Sequence, residues 1–134
     1  MQWLMLQQKE PKDFVISTGR QSSIRDFIRI CCRYLGLKIE FKGKGVDEVG
    51  YVDEINHENE ILGIKKGDVI IRVDQKYFRP SEVETLLGDS ALAKDSLGWE
   101  AKRTLEELAN EMMENDMMDA KKDLTLKQAG LLKQ

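Results

Sequence analysis

The stretch YFRPSEVETLLGD, residues 77–89, holds the side chains of this sequence best suited to bind an anion. A residue that precedes proline is pushed out of the helical region, so we expect Arg79 to be extended. Pro80 suits the first turn of a helix, because the N–H that it lacks would have had no partner there. Together they predict a guanidinium beside a helix N-terminus, an arrangement that favours a phosphate or a diphosphate.

Glu82 is the second candidate ligand in this stretch. It would lie in the first turn of the predicted helix, where a carboxylate interacts favourably with the helix dipole. Its oxygens can also accept hydrogen bonds from a ribose cis-diol. The pattern thus predicts that Arg79 and Glu82 hold the diphosphate and the sugar of a nucleotide. The alternative is a plain surface pair of an arginine and a helix-start acid, which stabilises little.

Alternating helices and strands must position this stretch, which indicates an α/β fold with α+β character. Helical spacing of apolar residues and capping signals predict helices, whereas apolar or alternating runs predict strands. Segment 42–67, rich in glycine and charge, is predicted to be a long loop with one short ribbon. The predicted helices are the N-terminal residues MQWLML, 24–35, 81–87, 91–97 and a long amphipathic helix from 105, and the predicted strands are 13–18, 37–41 and 68–73.

Bulk composition narrows the classes of function. The chain has 134 residues and a net charge of −3 with both signs mixed along it, which predicts one domain and no nucleic-acid partner. No apolar run reaches the length of a membrane span. The adjacent Cys31 and Cys32 fit a reduced, cytoplasmic protein, one as a core residue and the other half-exposed. No phosphate-binding loop, dinucleotide fingerprint or zinc spacing is found, so we predict neither catalytic residues nor a metal site.

Three segments carry a resemblance to a known family: DFVISTGRQSSIRDFI, GKGVDEVGYV and GDVIIRVDQKYFRPSEVETLLGDSALAKDSLGW. They resemble the C-terminal part of the GDP-mannose 4,6-dehydratases, which are extended short-chain dehydrogenases/reductases. Where that family usually continues GWKP, this chain has Glu100 and Ala101. The resemblance implies that residues 1–134 form a single C-terminal substrate-binding lobe, with segment 42–67 as a loop insertion. The N-terminal NADP-binding Rossmann domain of the family is absent from this sequence.

The resemblance also implies a function. The complete enzyme converts GDP-mannose to GDP-4-keto-6-deoxymannose with NADP, on the route to GDP-fucose and other deoxysugars, and it is a homo-oligomer. Arg79 and Glu82 correspond to the arginine and glutamate of the family's RPxE motif, which contact the diphosphate and the ribose. This chain would hold the substrate, and alone it would bind no cofactor and be inactive. Its partner would be an N-terminal Rossmann half if that half is encoded separately; a truncated gene product and an excised domain are the other origins that the sequence leaves open. The alternative is a non-catalytic residual fragment, or an interaction or binding module that keeps the lobe fold.

Overall fold

The computed structural model describes residues 1–56, 63–81 and 85–131. Contacts divide the chain into two compact units, and the single substrate-binding lobe predicted from the sequence stays a prediction. The larger unit comprises Ile24–Ser81 and Leu105–Gln134, and the smaller unit comprises Met1–Ser23 and Glu82–Thr104. Within the described ranges the regular elements are α1 (Gln2–Leu6), α2 (Ile24–Tyr34), β1 (Leu37–Lys42), a 3-10 turn (Gly45–Asp47), β2 (Val49–Ile55), β3 (Val69–Arg72), α3 (Ala91–Leu97) and α4 (Leu105–Gln128).

A three-stranded antiparallel sheet forms the centre of the larger unit, with β2 between β1 and β3. Lys42 of β1 lies opposite Val49 of β2, and Val49 in turn lies opposite Arg72 of β3. The mixture of helices with this sheet confirms the predicted α/β class in its broad form. The helices from residues 24, 91 and 105 and the strands at 37–41 and 68–73 are all present at the expected positions.

Segment 42–67 contains more regular structure than the sequence predicts. Its described residues include the 3-10 turn and the whole of β2, so the one short ribbon expected there is the middle strand of the sheet. Gly50 obscures this strand in the sequence, because glycine weakens a strand interior. Its presence has a packing reason: a Cβ at Gly50 would lie 2.9 Å from Ile39 Cδ1 and 3.0 Å from Ile71 Cβ.

The hydrophobic core of the larger unit lies between α2 and the sheet. Its buried side chains are Cys32 from α2, Leu37 and Ile39 from β1, and Val52 from β2. Helix α4 packs against α2 and buries Ala109. Burial raises the pKa of the Cys32 thiol above its ordinary value, so it stays protonated at neutral pH. Cys32 is thus the core member of the cysteine pair, and Cys31 is half-buried, as predicted.

The smaller unit contains α1, α3 and extended chain. Helix α3 follows a turn in which Asp89 Oδ1 accepts the Ala91 N–H at 2.9 Å, with Ser90 at the N-cap position. It ends at Gly98, whose φ of 62° is the left-handed conformation typical of a glycine stop. The predicted strand 13–18 has no strand pairing in the described chain. Instead, the hydroxyl of Ser17 donates to the Gly88 carbonyl at 2.7 Å.

The helix predicted over 81–87 is not found at the residues that the structure describes. Ser81 and residues 85–87 are not helical, and residues 82–84 lie outside the described ranges. A helix of seven residues is marginal without strong packing, and a capping signal does not by itself overcome that cost. Directly after the described residues 85–87, Gly88 packs closely against the Ser17 side chain, whose Cβ lies 2.7 Å from the position of a Gly88 Cβ.

Candidate nucleotide-sugar site

A tight turn connects the end of β3 to the segment that contains Arg79. The Asp74 carbonyl accepts the Tyr77 N–H at 3.1 Å, and Asp74 Oδ1 accepts the Lys76 N–H at 2.9 Å. A carboxylate that binds the backbone two residues further on is a common way to fix a turn. Arg79 follows in non-helical chain before Pro80, and its side chain is exposed. The structure thus presents its guanidinium to solvent just after a hydrogen-bonded turn.

The ion pairs among the described residues do not include Arg79. Within those ranges its guanidinium is therefore accessible to an external anion. Glu82, its predicted companion and the acid of the alternative surface pair, lies outside the described residues. Because neither Ser81 nor residues 85–87 are helical, the described chain gives no support to the helix N-terminus predicted beside Arg79. Of the predicted site, the described part contains the arginine and the proline after it.

The segment before Arg79 rests on the 3-10 turn. The ring of Phe78 lies against Gly45, with Phe78 Cζ 3.5 Å from the position that a Gly45 Cβ would occupy. Gly45 has a φ of +59°, a conformation that glycine adopts without steric cost. Sequence reasoning missed this contact, because Phe78 and Gly45 are far apart in the chain. The paired glycines of GKGV were the available signal that a turn needed special backbone geometry.

An arginine–glutamate pair holds the chain that follows the 3-10 turn. Arg25 Nε donates to Glu48 Oε1 at 2.5 Å, and Arg25 Nη2 donates to Glu48 Oε2 at 2.6 Å. The guanidinium carbons of Arg25 and Arg29 lie 6.0 and 5.2 Å from the centroid of the Phe41 ring. Bidentate, charge-assisted bonds of this kind fix geometry as well as adding energy. They connect α2 to the start of β2.

This pair gives the stability of the larger unit a pH dependence. The hydrogen bonds from Arg25 lower the pKa of the Glu48 carboxyl, and those from Lys38 lower the pKa of Asp53. A carboxyl with a lowered folded-state pKa stabilises the fold above its unfolded pKa, about 4. That contribution is lost as the pH falls through the folded pKa. We expect the urea midpoint of the parent chain to decrease as the pH is lowered from 6 to 3. The same change of pH should decrease the midpoint of the Glu48→Gln variant by less. An equal fall in both proteins would contradict the role given to Glu48.

Two classes of feature are not found in the part of the chain that the structure describes. None of its helices combines the length and apolarity that crossing a membrane requires. No group of three His, Cys, Asp or Glu side chains there is placed to hold a metal ion.

Comparison with known sequence families identifies the family of this chain. A sequence model described as GDP-mannose 4,6 dehydratase matches residues 1–112. The chain belongs to the GDP-mannose 4,6-dehydratase family. That matched range includes Arg79, the 3-10 turn and all three strands of the sheet. The resemblance predicted from the sequence is confirmed.

Individual proteins of the family are similar to this chain, and the alignments show how much of each protein the chain covers. The chain is 49% identical over 130 residues to a GDP-mannose 4,6-dehydratase from Yersinia enterocolitica, covering 97% of this chain and 35% of that protein. It is 51% identical to one from Vibrio cholerae with the same two coverages. A human GDP-mannose 4,6 dehydratase is 40% identical over 86% of this chain and 28% of its own length. The chain therefore spans 35% or less of these three family members.

Proposed function

We propose that this chain is the nucleotide-sugar-binding lobe of a GDP-mannose 4,6-dehydratase of the extended short-chain dehydrogenase/reductase type. The observation that carries this proposal is the family match over residues 1–112, which contains the YFRPSE stretch. Its structural support is an exposed arginine that lies two residues after a hydrogen-bonded turn. The substrate would be GDP-mannose, and Arg79 would bind its diphosphate through the planar, two-pronged donor geometry of a guanidinium.

Glu82 is the proposed partner of Arg79 for the ribose. A carboxylate has no donors, so it fits the two hydroxyls of a cis-diol and would repel the diphosphate itself. Its placement three residues after Arg79 allows one ligand to span both side chains. This assignment rests on the sequence and on the family resemblance, and it is separable by mutation from the assignment of Arg79.

The chemistry of the complete enzyme would come from a Rossmann part that lies outside these 134 residues. NADP supplies hydride transfer when it is bound, and the residues present here do not fit it, because the sequence has no glycine-rich turn between a strand and a helix. The contribution of this chain is to bind the nucleotide end and orient the sugar. Orientation of a bound substrate can account for a large share of a rate enhancement. A homo-oligomer assembled through the complete protein is part of the same proposal.

A chimeric enzyme tests the proposed function. In it, this chain replaces the matching residues of the Yersinia enterocolitica relative, which is 49% identical over 130 residues. We expect the chimera to consume GDP-mannose in the presence of NADP, as followed by chromatography of the nucleotide sugars. The 134-residue chain expressed alone should show no turnover. The unmodified relative and its N-terminal part alone are the controls.

The non-catalytic alternative makes a different prediction for the same protein. If this chain is a residual fragment or an interaction module, the chimera should fold and bind NADP but neither bind nor consume GDP-mannose. Circular dichroism and NADP titration establish folding of the two parts, so loss of substrate binding is attributable to this chain. That result would refute the proposed function.

A further inference from the structure

We propose that Phe78 is a positioning residue for Arg79, and that Gly45 is the surface on which it is anchored. This inference rests on the proposed role of Arg79 in binding a nucleotide diphosphate. The ring of Phe78 would fix the backbone that carries the guanidinium, so that it is ordered before the ligand arrives.

The anchor is the approach of the Phe78 ring to the open side of Gly45, where a side chain would otherwise stand. A Cβ built on Gly45 would lie 3.5 Å from Phe78 Cζ and 3.8 Å from Phe78 Cε2, so the far edge of the ring faces this glycine. Phe78 is 41% exposed, whereas the neighbouring Tyr77 is 72% exposed. Of the two adjacent aromatic side chains, Phe78 is the one that turns toward the body of the unit.

The surface beneath the ring is itself held in place. The Gly45 carbonyl accepts the Glu48 N–H at 3.3 Å, which closes the 3-10 turn. Glu48 is then bound through both carboxylate oxygens to Arg25 of α2. The ring of Phe78 therefore rests on a turn that is connected by hydrogen bonds to the first turn of a helix.

Arg79 lies between two restraints. Phe78 precedes it and is anchored on Gly45, while Pro80 follows it and restricts its backbone to extended conformations. Holding a binding side chain in its bound conformation lowers the ordering cost of association. The expected result is tighter binding of the diphosphate without any contact between Phe78 and the ligand.

A measurement without ligand tests the anchor first. In the 134-residue chain, Phe78→Ala should lower the ¹⁵N heteronuclear NOE of the Arg79 and Ser81 amides and leave the β2 amides unchanged. Phe78→Leu should keep most of the ordering, because it retains apolar contact with Gly45. Tyr77→Ala is the matched control: it truncates an aromatic residue one position away. Unchanged amides at Arg79 and Ser81 in Phe78→Ala would overturn the proposal.

Steady-state kinetics of the chimeric enzyme test the consequence for the site. Phe78→Ala should raise the KM for GDP-mannose about three- to tenfold, with kcat within about twofold of the parent and partial recovery in Phe78→Leu. If Arg79→Ala raises KM and Phe78→Ala does not, the positioning role is wrong and the proposed function stands. If neither variant changes KM, the binding role of Arg79 fails, and the positioning role fails with it.

Discussion

Arg79→Ala should raise the KM for GDP-mannose at least about tenfold in the chimeric enzyme. Hydrogen bonds to charged groups contribute roughly 1.5–3 kcal/mol each, and a guanidinium can form two of them with a diphosphate. About 1.4 kcal/mol corresponds to one decade in affinity, so the loss of a single such bond already gives this factor. Because Arg79 is exposed after the Asp74 turn, its truncation should leave the fold intact, and circular dichroism of the variant checks this.

Other substitutions at the site resolve the chemistry of the interaction. Arg79→Lys should recover only part of the affinity, because an ammonium group lacks the planar arrangement of donors. Glu82→Gln should do less harm, since the amide oxygen still accepts a hydrogen bond from a ribose hydroxyl. The affinity for NADP should not change in any of these variants, because both residues are assigned to the substrate.

Arg72→Ala is the matched control for Arg79→Ala. Arg72 is an exposed arginine at the end of β3, and its removal changes the net charge by the same amount. A specific diphosphate contact predicts a large effect at Arg79 and little at Arg72, whereas general electrostatic attraction predicts similar effects at both. An unchanged KM in Arg79→Ala would show that Arg79 is only a surface residue.

Helices α2, α3 and α4 and two of the three strands of the sheet, β1 and β3, could be predicted from local pattern. Helix α2 and helix α4 each repeat apolar residues at helical spacing after a capping signal, and both form where expected. β1 alternates apolar and polar residues because one of its faces packs on α2. In each case the information lies within the element, so the sequence alone suffices.

The sequence predicts β2 only as one short ribbon within a loop, because the reason for its composition is not local. Gly50 is required by side chains that approach it from both neighbouring strands, Ile39 and Phe41 from β1 and Ile71 from β3. The charged residues around it form pairs across the sheet, as Lys38 does with Asp53 and Glu54. A single sequence does not show that these residues meet, so its glycines and charged residues predict a loop here.

Two other predictions, the strand at 13–18 and the helix at 81–87, also rest on local pattern alone, and the described residues do not show either element. The apolar run at 13–18 predicted a strand, but a strand also needs a partner backbone, and a burial pattern does not identify one. The capping signal at Ser81 predicted a helix, but the described residues 85–87 are not helical, and Gly88 is held by Ser17 from a distant part of the sequence. The Ser17–Gly88 contact, which joins distant parts of the sequence, is not visible in the local pattern of either segment.

The candidate site also has one part that could be predicted from local sequence and one part that could not. Arg79 could be chosen from its own neighbours, since the proline after it and the acid at Glu82 are visible in the sequence. The support beneath it could not, because the contact between Phe78 and Gly45 joins segments on opposite sides of β2 in the chain. A ligand-binding side chain can thus be predicted from sequence while the residues that order it are found only in the structure.

Ile39→Ala should produce the largest loss of stability in the larger unit. Ile39 is 2% exposed and packs in the core with Val52, Leu37 and Cys32. Replacing a buried isoleucine by alanine typically costs about 2–5 kcal/mol, from lost burial and from the cavity that remains. The upper part of that range is expected here, because Ile39 Cδ1 also fills the space above Gly50, within 2.9 Å of the position of a Cβ there. The measurement is the urea midpoint of the 134-residue chain, followed by circular dichroism.

Ile70→Ala provides the comparison within the same sheet. Ile70 lies in β3 and is 37% exposed, so the same atoms are removed from a position with less burial and more room to relax. Its loss of stability should be less than half that of Ile39→Ala, because both the buried area and the residual cavity are smaller. Equal midpoints for the two variants would show that the β1–β2 face is not the core on which the larger unit depends. The anchor proposed for Arg79 would then lack a stable base, since Gly45 lies in the connection between those two strands.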